Sequence, residues 1–157
     1  MALESARISV QLELMNVDGK PTRTIWPAAD GQSVEIIDQT KLPHRFEIAT
    51  LRNVDDAAHA IKAMLVRGAP LIGATAAYGL WLAMRGDPSD AGLTKAYDQL
   101  FATRPTAVNL RWALDRGRAT LAPLAPTERA DRALSLAVEI CDEDVGINHA
   151  IGQAALA

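Results

Sequence analysis

The chain has 157 residues, 49% of them apolar and 22% charged, with a formal net charge of −3, a balance that suits one soluble folded domain with a real core rather than a disordered segment. That charge offers no basic field for a phosphate backbone, and three Trp, two Tyr and two Phe are few platforms for base stacking, which argues against nucleic acid as a partner. The single cysteine, Cys141, excludes an internal disulfide framework and suits a reducing compartment, the cytoplasm.

Residues Met1 to Arg7 contain no cationic region leading into an apolar run, so no secretory signal is read there. Ile8, Val10, Leu12 and Leu14 alternate with polar residues and predict a strand, followed by a two-residue hairpin turn at Asp18-Gly19 and a return strand over Thr22 to Trp26. Asp30-Gly31 predicts a second turn, Ser33 to Asp38 another strand with Val34 and Ile36 on one face, and Phe46 to Leu51 a further one. Residues 1–52 thus read as a small antiparallel β-sheet.

From Asn53 the apolar period changes from two to about 3.6, and residues 53–157 read as a helical bundle. The whole is an α+β domain spanning 1–157. Asn53 is the expected N-cap of a first helix, with Asp55 and Asp56 in its first turn and Ala57, Ala60, Ile61, Met64 and Leu65 on its inner face. Pro70 opens a second helix that closes near Gly86-Asp87-Pro88 and is apolar all round, which demands cover on every side. Its uncharged stretch, Gly68 to Met84, falls short of the roughly 18 to 20 strongly apolar residues that cross a bilayer, so it reads as a core helix and not a membrane span.

Ser89 caps a third helix with Leu93, Ala96, Tyr97, Leu100 and Phe101 facing inward. A fourth begins after Arg104-Pro105, capped by Thr103 or Thr106, with Leu110, Ala113, Leu114, Gly117 and Leu121 inside. Thr127 caps a fifth, whose stripe of Ala130, Ala133, Leu134, Ala137, Val138, Cys141 and Val145 runs on through Ile151 towards Ala157. No Gly, Asn or Pro terminates that pattern, so the sequence reads as interrupted within a helix.

Arg67-Gly68-Ala69-Pro70 is the segment richest in chemistry. Pro70 disfavours the helical region for Ala69 and starts a helix at once, so the free N–H groups of the first turn and the positive end of the helix dipole face whatever lies beside Gly68. Gly68 allows close approach to the backbone, and Arg67 adds a fork of donors suited to phosphate. The same pattern also fits a tight interhelical turn with a surface arginine. Arg104 repeats the setting before Pro105, as an anion ligand or as a solvated loop residue.

Cys141 lies on the apolar stripe with Glu139, Asp142, Glu143 and Asp144 nearby, and acidic neighbours oppose thiolate formation, so it reads as a packed structural cysteine. The four carboxylates read as a solvated helix face and not a metal site. His44, His59 and His149 are scattered over three elements and form no relay, and no Ser-His-Asp grouping, Walker loop or dinucleotide fingerprint occurs.

Arg23-Thr24-Ile25-Trp26-Pro27, Asp38-Gln39-Thr40-Lys41-Leu42-Pro43, Val66-Arg67-Gly68-Ala69-Pro70-Leu71-Ile72-Gly73, Ala76-Ala77-Tyr78-Gly79-Leu80 and Arg104-Pro105-Thr106-Ala107-Val108-Asn109-Leu110 occur in the order and spacing of methylthioribose-1-phosphate isomerase. From about Met15 onward the chain resembles the amino-terminal part of that family. The resemblance implies conversion of 5-methylthioribose 1-phosphate to 5-methylthioribulose 1-phosphate in methionine salvage, with no metal or organic cofactor, by a cytoplasmic homodimer. It implies that Arg67, Gly68, Ala69 and Arg104 bind substrate. The family's catalytic cysteine and acid/base aspartate belong to a carboxy-terminal Rossmann-like domain that is missing from these 157 residues. Cys141 lacks the context of that cysteine, so no catalytic residue is assigned and the segment alone is expected to be inactive. Ribose-1,5-bisphosphate isomerase, and the non-catalytic regulatory subunits of the translation initiation exchange factor, are the alternatives within the same superfamily.

Overall fold

The computed structural model describes residues 16–155. The strand expected over Ile8 to Leu14 lies outside them. Asp18 and Gly19 both take left-handed backbone conformations, φ 51° and 78°, and close a tight hairpin between β1 (Asn16–Val17) and β2 (Lys20–Pro21). The return strand is therefore Lys20–Pro21 and not Thr22 to Trp26. A second, three-stranded antiparallel sheet follows in the order β3 (Ile25–Pro27), β4 (Val34–Ile37) and β5 (Ile48–Leu51). The single sheet expected from the alternation is thus two sheets, because a turn of two residues uses up its pairing immediately on either side.

Asp30 makes the β3–β4 turn as expected. Its carboxylate accepts hydrogen bonds from the Gln32 and Ser33 amides and from the Ser33 hydroxyl, which hold its pKa below the usual carboxylate range. Ile25 opposes Ile36 and Val34 opposes Leu51 across the ladder, so one face of the sheet is apolar and joins the helical core.

Five helices complete the fold: α1 (Val54–Lys62), α2 (Ala69–Gly86), α3 (Asp90–Phe101), α4 (Val108–Leu121) and α5 (Pro126–Ala155). Every residue of α2 from Leu71 to Leu82 is buried, and α2 touches each of the other four helices and β3. The small residues that sequence placed there are what admits them. A Cβ on Gly79 would sit 3.0 Å from Leu100 of α3 and 3.1 Å from Ala57 of α1, and one on Gly117 of α4 would meet Leu80. Thr75, fully buried, folds its hydroxyl back onto the Leu71 carbonyl at 2.7 Å, so it adds no unsatisfied polar group.

Four helical expectations need correction. α2 starts at Ala69, behind Gly68, and not at Pro70, so Pro70 does not hold Ala69 out of the helix. α1 ends at Lys62, and the chain turns through Met64 at φ 60°, leaving Met64 exposed and not on the inner face. α4 starts at Val108 behind Ala107, not at a threonine cap; Thr103 instead donates to the Leu100 carbonyl at the end of α3. α5 starts at Pro126, so Thr127 is already inside its first turn, and the buried stripe runs through Arg129, Ala133, Leu136, Ala137, Ile140 and Cys141. Ala130, Leu134 and Val138 lie half-buried at its edge, because the face pressed against α2 is rotated from the one that alanine spacing suggested. Beyond Cys141 the helix leaves the core, with Ile147 and Ile151 about 60% exposed.

Candidate functional site at paired helix entrances

The five helix starts divide into two kinds. Asn53 and Ser89 accept hydrogen bonds from the amides of Asp56 and Gly92 and cap α1 and α3, and acidic residues occupy the first turns of α1, α3 and α5. Both devices neutralise the positive end of a helix. α2 and α4 have neither. Gly68 and Ala107 stand at their N-cap positions with no side-chain cap, and no acidic residue lies in either first turn. The Ala69, Leu71, Val108, Asn109 and Leu110 amides, which precede the first intrahelical bonds, thus have no helix carbonyl to receive them.

These two bare entrances share one end of the bundle. Gly73 of α2 faces Asn109 and Ala113 of α4, and further along Leu80 faces Gly117. Contacts that advance in the same direction on both helices make α2 and α4 parallel, so their positive ends lie side by side. Each end carries roughly half an elementary charge, and two such ends repel each other unless an anion sits between or beside them.

The backbone before α2 is shaped for close approach. Gly68 has φ 92°, in the left-handed region where a side chain is strained, and nothing lies within 4 Å of where its Cβ would be. The approach to it is pinned by the Leu65 and Val66 amides on the Ala60 carbonyl and by the Gln39 amide on Leu65. Arg67 is exposed and its Nε donates to the Met64 carbonyl at 3.4 Å, leaving the terminal nitrogens to solvent-facing partners. Arg104 is half-buried, and its carbonyl accepts from the Ala107 amide at 2.9 Å, closing a turn that directs Pro105 to Ala107 into α4. Arg104 therefore precedes its helix by one turn and not directly, as its Pro neighbour had suggested.

Cys141 is buried and apart from this chemistry. Burial chiefly pushes its thiol pKa up, to about 11, with Asp142 and Asp144 adding to the rise and Arg23 and the hydrogen-bonding Tyr78 hydroxyl opposing it. Tyr78 is itself shifted upward by burial. Alkylation of the native chain by iodoacetamide at pH 8 is accordingly expected to run at least about tenfold slower than that of a free thiol, read by mass spectrometry; a free-thiol rate would contradict this packing. Since the folded thiol ionises at higher pH than an unfolded one, this group favours folding below about pH 8.5, and that contribution is lost as pH climbs towards 11.

The acidic face of α5 is exposed, as expected, and three of its carboxylates form surface ion pairs. Asp142 pairs with Arg23 at 2.7 Å, Glu143 with Arg116 at 2.6 Å and Glu139 with Arg132 at 2.8 Å. An open cavity of about 510 Å³ beside the β1–β2 hairpin is lined by Lys20, Arg23, Trp26, Phe46 and Ile48 among others, and contains none of Arg67, Gly68, Ala69 or Arg104. No described helix is long and apolar enough to cross a membrane.

Residues 65–157, which include both helix entrances, match the Initiation factor 2 subunit family. The chain belongs to that family. Within it, the methylthioribose-1-phosphate isomerase of Rhodospirillum rubrum is 62% identical over 138 residues, a match that covers 88% of this chain and 35% of that protein. Two solved members of the family share the fold. A 5-methylthioribose 1-phosphate isomerase from Pyrococcus horikoshii OT3 superposes with a TM-score of 0.72 at 35% identity, over 84% of this chain and 37% of that one. The translation initiation factor eIF-2B, subunit delta, from A. fulgidus gives 0.71 at 38% identity, over 78% and 37%. The chain thus spans little more than a third of the length of these relatives. The isomerase resemblance read from the sequence motifs holds at high identity, and the α+β architecture is that of the family.

Proposed function

We propose that this chain carries the substrate-phosphate grip of a methylthioribose-1-phosphate isomerase. The observation that supports the reading is the pairing of two uncapped, parallel helix entrances in a chain 62% identical to an enzyme of that name. In the proposed complex the phosphate of 5-methylthioribose 1-phosphate lies against the amides of Gly68, Ala69 and the first turn of α4. Arg67 and Arg104 supply charged donors from either side. Gly68 admits the anion because no side chain stands in its way. The dianion offsets the mutual repulsion of the two helix ends, so binding relieves an electrostatic cost built into the apo fold.

Aldose–ketose isomerisation moves a proton between C2 and C1 after the ring opens, and both steps need groups that give up and take back protons. Arginine and backbone amides are donors only at neutral pH. This end of the fold therefore binds and orients, and the proton transfers fall to other groups. The working enzyme is a cytoplasmic homodimer acting on a small sugar phosphate, with no nucleic acid or membrane partner.

Replacing Arg67 by Ala is expected to weaken binding of 5-methylthioribose 1-phosphate by about 2 kcal/mol, or about 30-fold, with Arg104→Ala acting in the same direction. Titration calorimetry on the 157-residue chain reads this directly, and an unchanged affinity in Arg67→Ala rejects the assigned role. The likeness to the eIF-2B delta subunit supports a second reading, a non-catalytic assembly subunit. Wild-type chain that binds neither the sugar phosphate nor inorganic phosphate would favour that one.

A further inference from the structure

Gly73 lies four residues inside α2, where it plays no part in the turn and has an ordinary helical backbone. A Cβ at this position would stand 3.0 Å from the carbonyl oxygen of Asn109 and 3.6 Å from the Ala113 Cβ. The first of those atoms is backbone in the opening turn of α4, which cannot rotate aside as a side-chain tip can. We propose that Gly73 is a positioning residue for the anion site: its missing side chain sets the spacing of the two helix entrances so that both sets of free amides reach one phosphate. This rests on the phosphate reading above.

Gly79 and Gly117, the other glycines packed between two helices, differ in kind. At Gly117 the contact is 2.4 Å to Leu80 Cδ1, and at Gly79 the nearest atoms are the methyl ends of Leu100. Those are flexible side-chain termini within the core, away from the entrances, and repacking there costs stability without moving a helix start. At Gly73 a methyl group must displace the first turn of α4 by a few tenths of an ångström. Charge-assisted hydrogen bonds to phosphate are short and angle-sensitive, so an anion held from both helices loses contact with one of them. Global stability changes less, because alanine is the better helix former and partly offsets the crowding.

The test uses the ¹⁵N-labelled 157-residue chain titrated with inorganic phosphate, alongside thermal unfolding. In the wild type the Gly68, Ala69, Leu71, Val108 and Asn109 amides are expected to shift along one binding curve. Gly73→Ala should raise the phosphate Kd at least about tenfold and uncouple the two entrances. Gly117→Ala should lower the melting temperature and leave Kd within about twofold. Ala113→Ser, a milder intrusion into the same gap from the α4 side, should raise Kd by about threefold and keeps the test open if Gly73→Ala folds poorly. A wild-type Kd in Gly73→Ala, or affinity lost in Gly117→Ala in step with stability, overturns the positioning role while leaving the phosphate site intact. Absence of any wild-type shift at either entrance removes both the site and the inference.

Discussion

Replacing Arg129 by Ala is expected to destabilise the chain by about 3 kcal/mol, lowering its melting temperature by about 10 °C. Arg129 is 2% exposed, yet its partners are mostly carbonyls. Nε donates to Leu121 and Leu124 at 3.0 and 3.2 Å, Nη2 to Ala122 at 3.1 Å, and Nη1 to Pro88 at 2.9 Å. One guanidinium therefore closes the C-terminal end of α4 and ties it to the loop between α2 and α3. Its carboxylate partner, Asp90 at 2.5 Å, has a side chain 89% exposed and gains little from the pair. Removing the arginine leaves the buried Leu121 carbonyl and three part-buried ones without this donor, with a void beside them, whereas Asp90→Ala should cost less than about 1 kcal/mol. Arg129→Lys should recover only a small part, since three donors on a point cannot serve a fork of carbonyls. Chemical denaturation of the three variants reads all of this. Equal losses for Arg129→Ala and Asp90→Ala would place the energy in the ion pair and sink the capping account.

Most of the helical half was legible because its elements announce themselves locally. Asn53 and Ser89 cap where their chemistry says, Leu110 to Leu121 face inward at the expected spacing, and the all-apolar Leu71 to Leu82 run could only be a central helix. The β half was legible as turns but not as pairing. Asp18-Gly19 and Asp30-Gly31 form, yet which strand follows which turn depends on register, and register is a tertiary property. Arg129 was missed because a cation in the first turn of a helix reads as a solvated side chain. A signal did exist: the end of α4, Leu121-Ala122-Pro123-Leu124, has no Gly or Asn to satisfy its last carbonyls, so a donor had to come from elsewhere.

The helix entrances follow the same logic. Sequence identified Arg67-Gly68-Ala69-Pro70 and Arg104 one at a time, because each motif is local. Their sharing of one end comes from α2 and α4 being parallel, and that direction is set by Gly73 against Asn109 and Gly117 against Leu80, contacts between residues about 36 apart. The contrast between capped and bare helix starts was readable in principle. Asn53 and Ser89 precede acidic first turns, whereas Gly68 and Ala107 precede none.

The 157-residue chain supplied with 5-methylthioribose 1-phosphate is expected to bind it and release it unchanged, with turnover at least about a thousandfold below that of a full-length isomerase. The argument is one of chemistry at the site. In the proposed grip, Arg67, Arg104 and the first amides of α2 and α4 serve only as hydrogen-bond donors, and none of them can withdraw a proton from carbon at neutral pH. A positioned acid or base contributes about 10² to 10⁴ in rate, and this reaction needs proton removal and return as well as ring opening. Cys141 cannot substitute. It is 8% exposed, and burial pushes its thiol pKa up to about 11, so it is protonated at neutral pH. Calorimetry paired with a product assay separates the two halves of the expectation. Binding without product fits a grip that holds the phosphate while other groups move the protons. Turnover near that of a full-length relative would mean that a proton-transferring residue stands at this end of the bundle, and would overturn the donor-only account of the site.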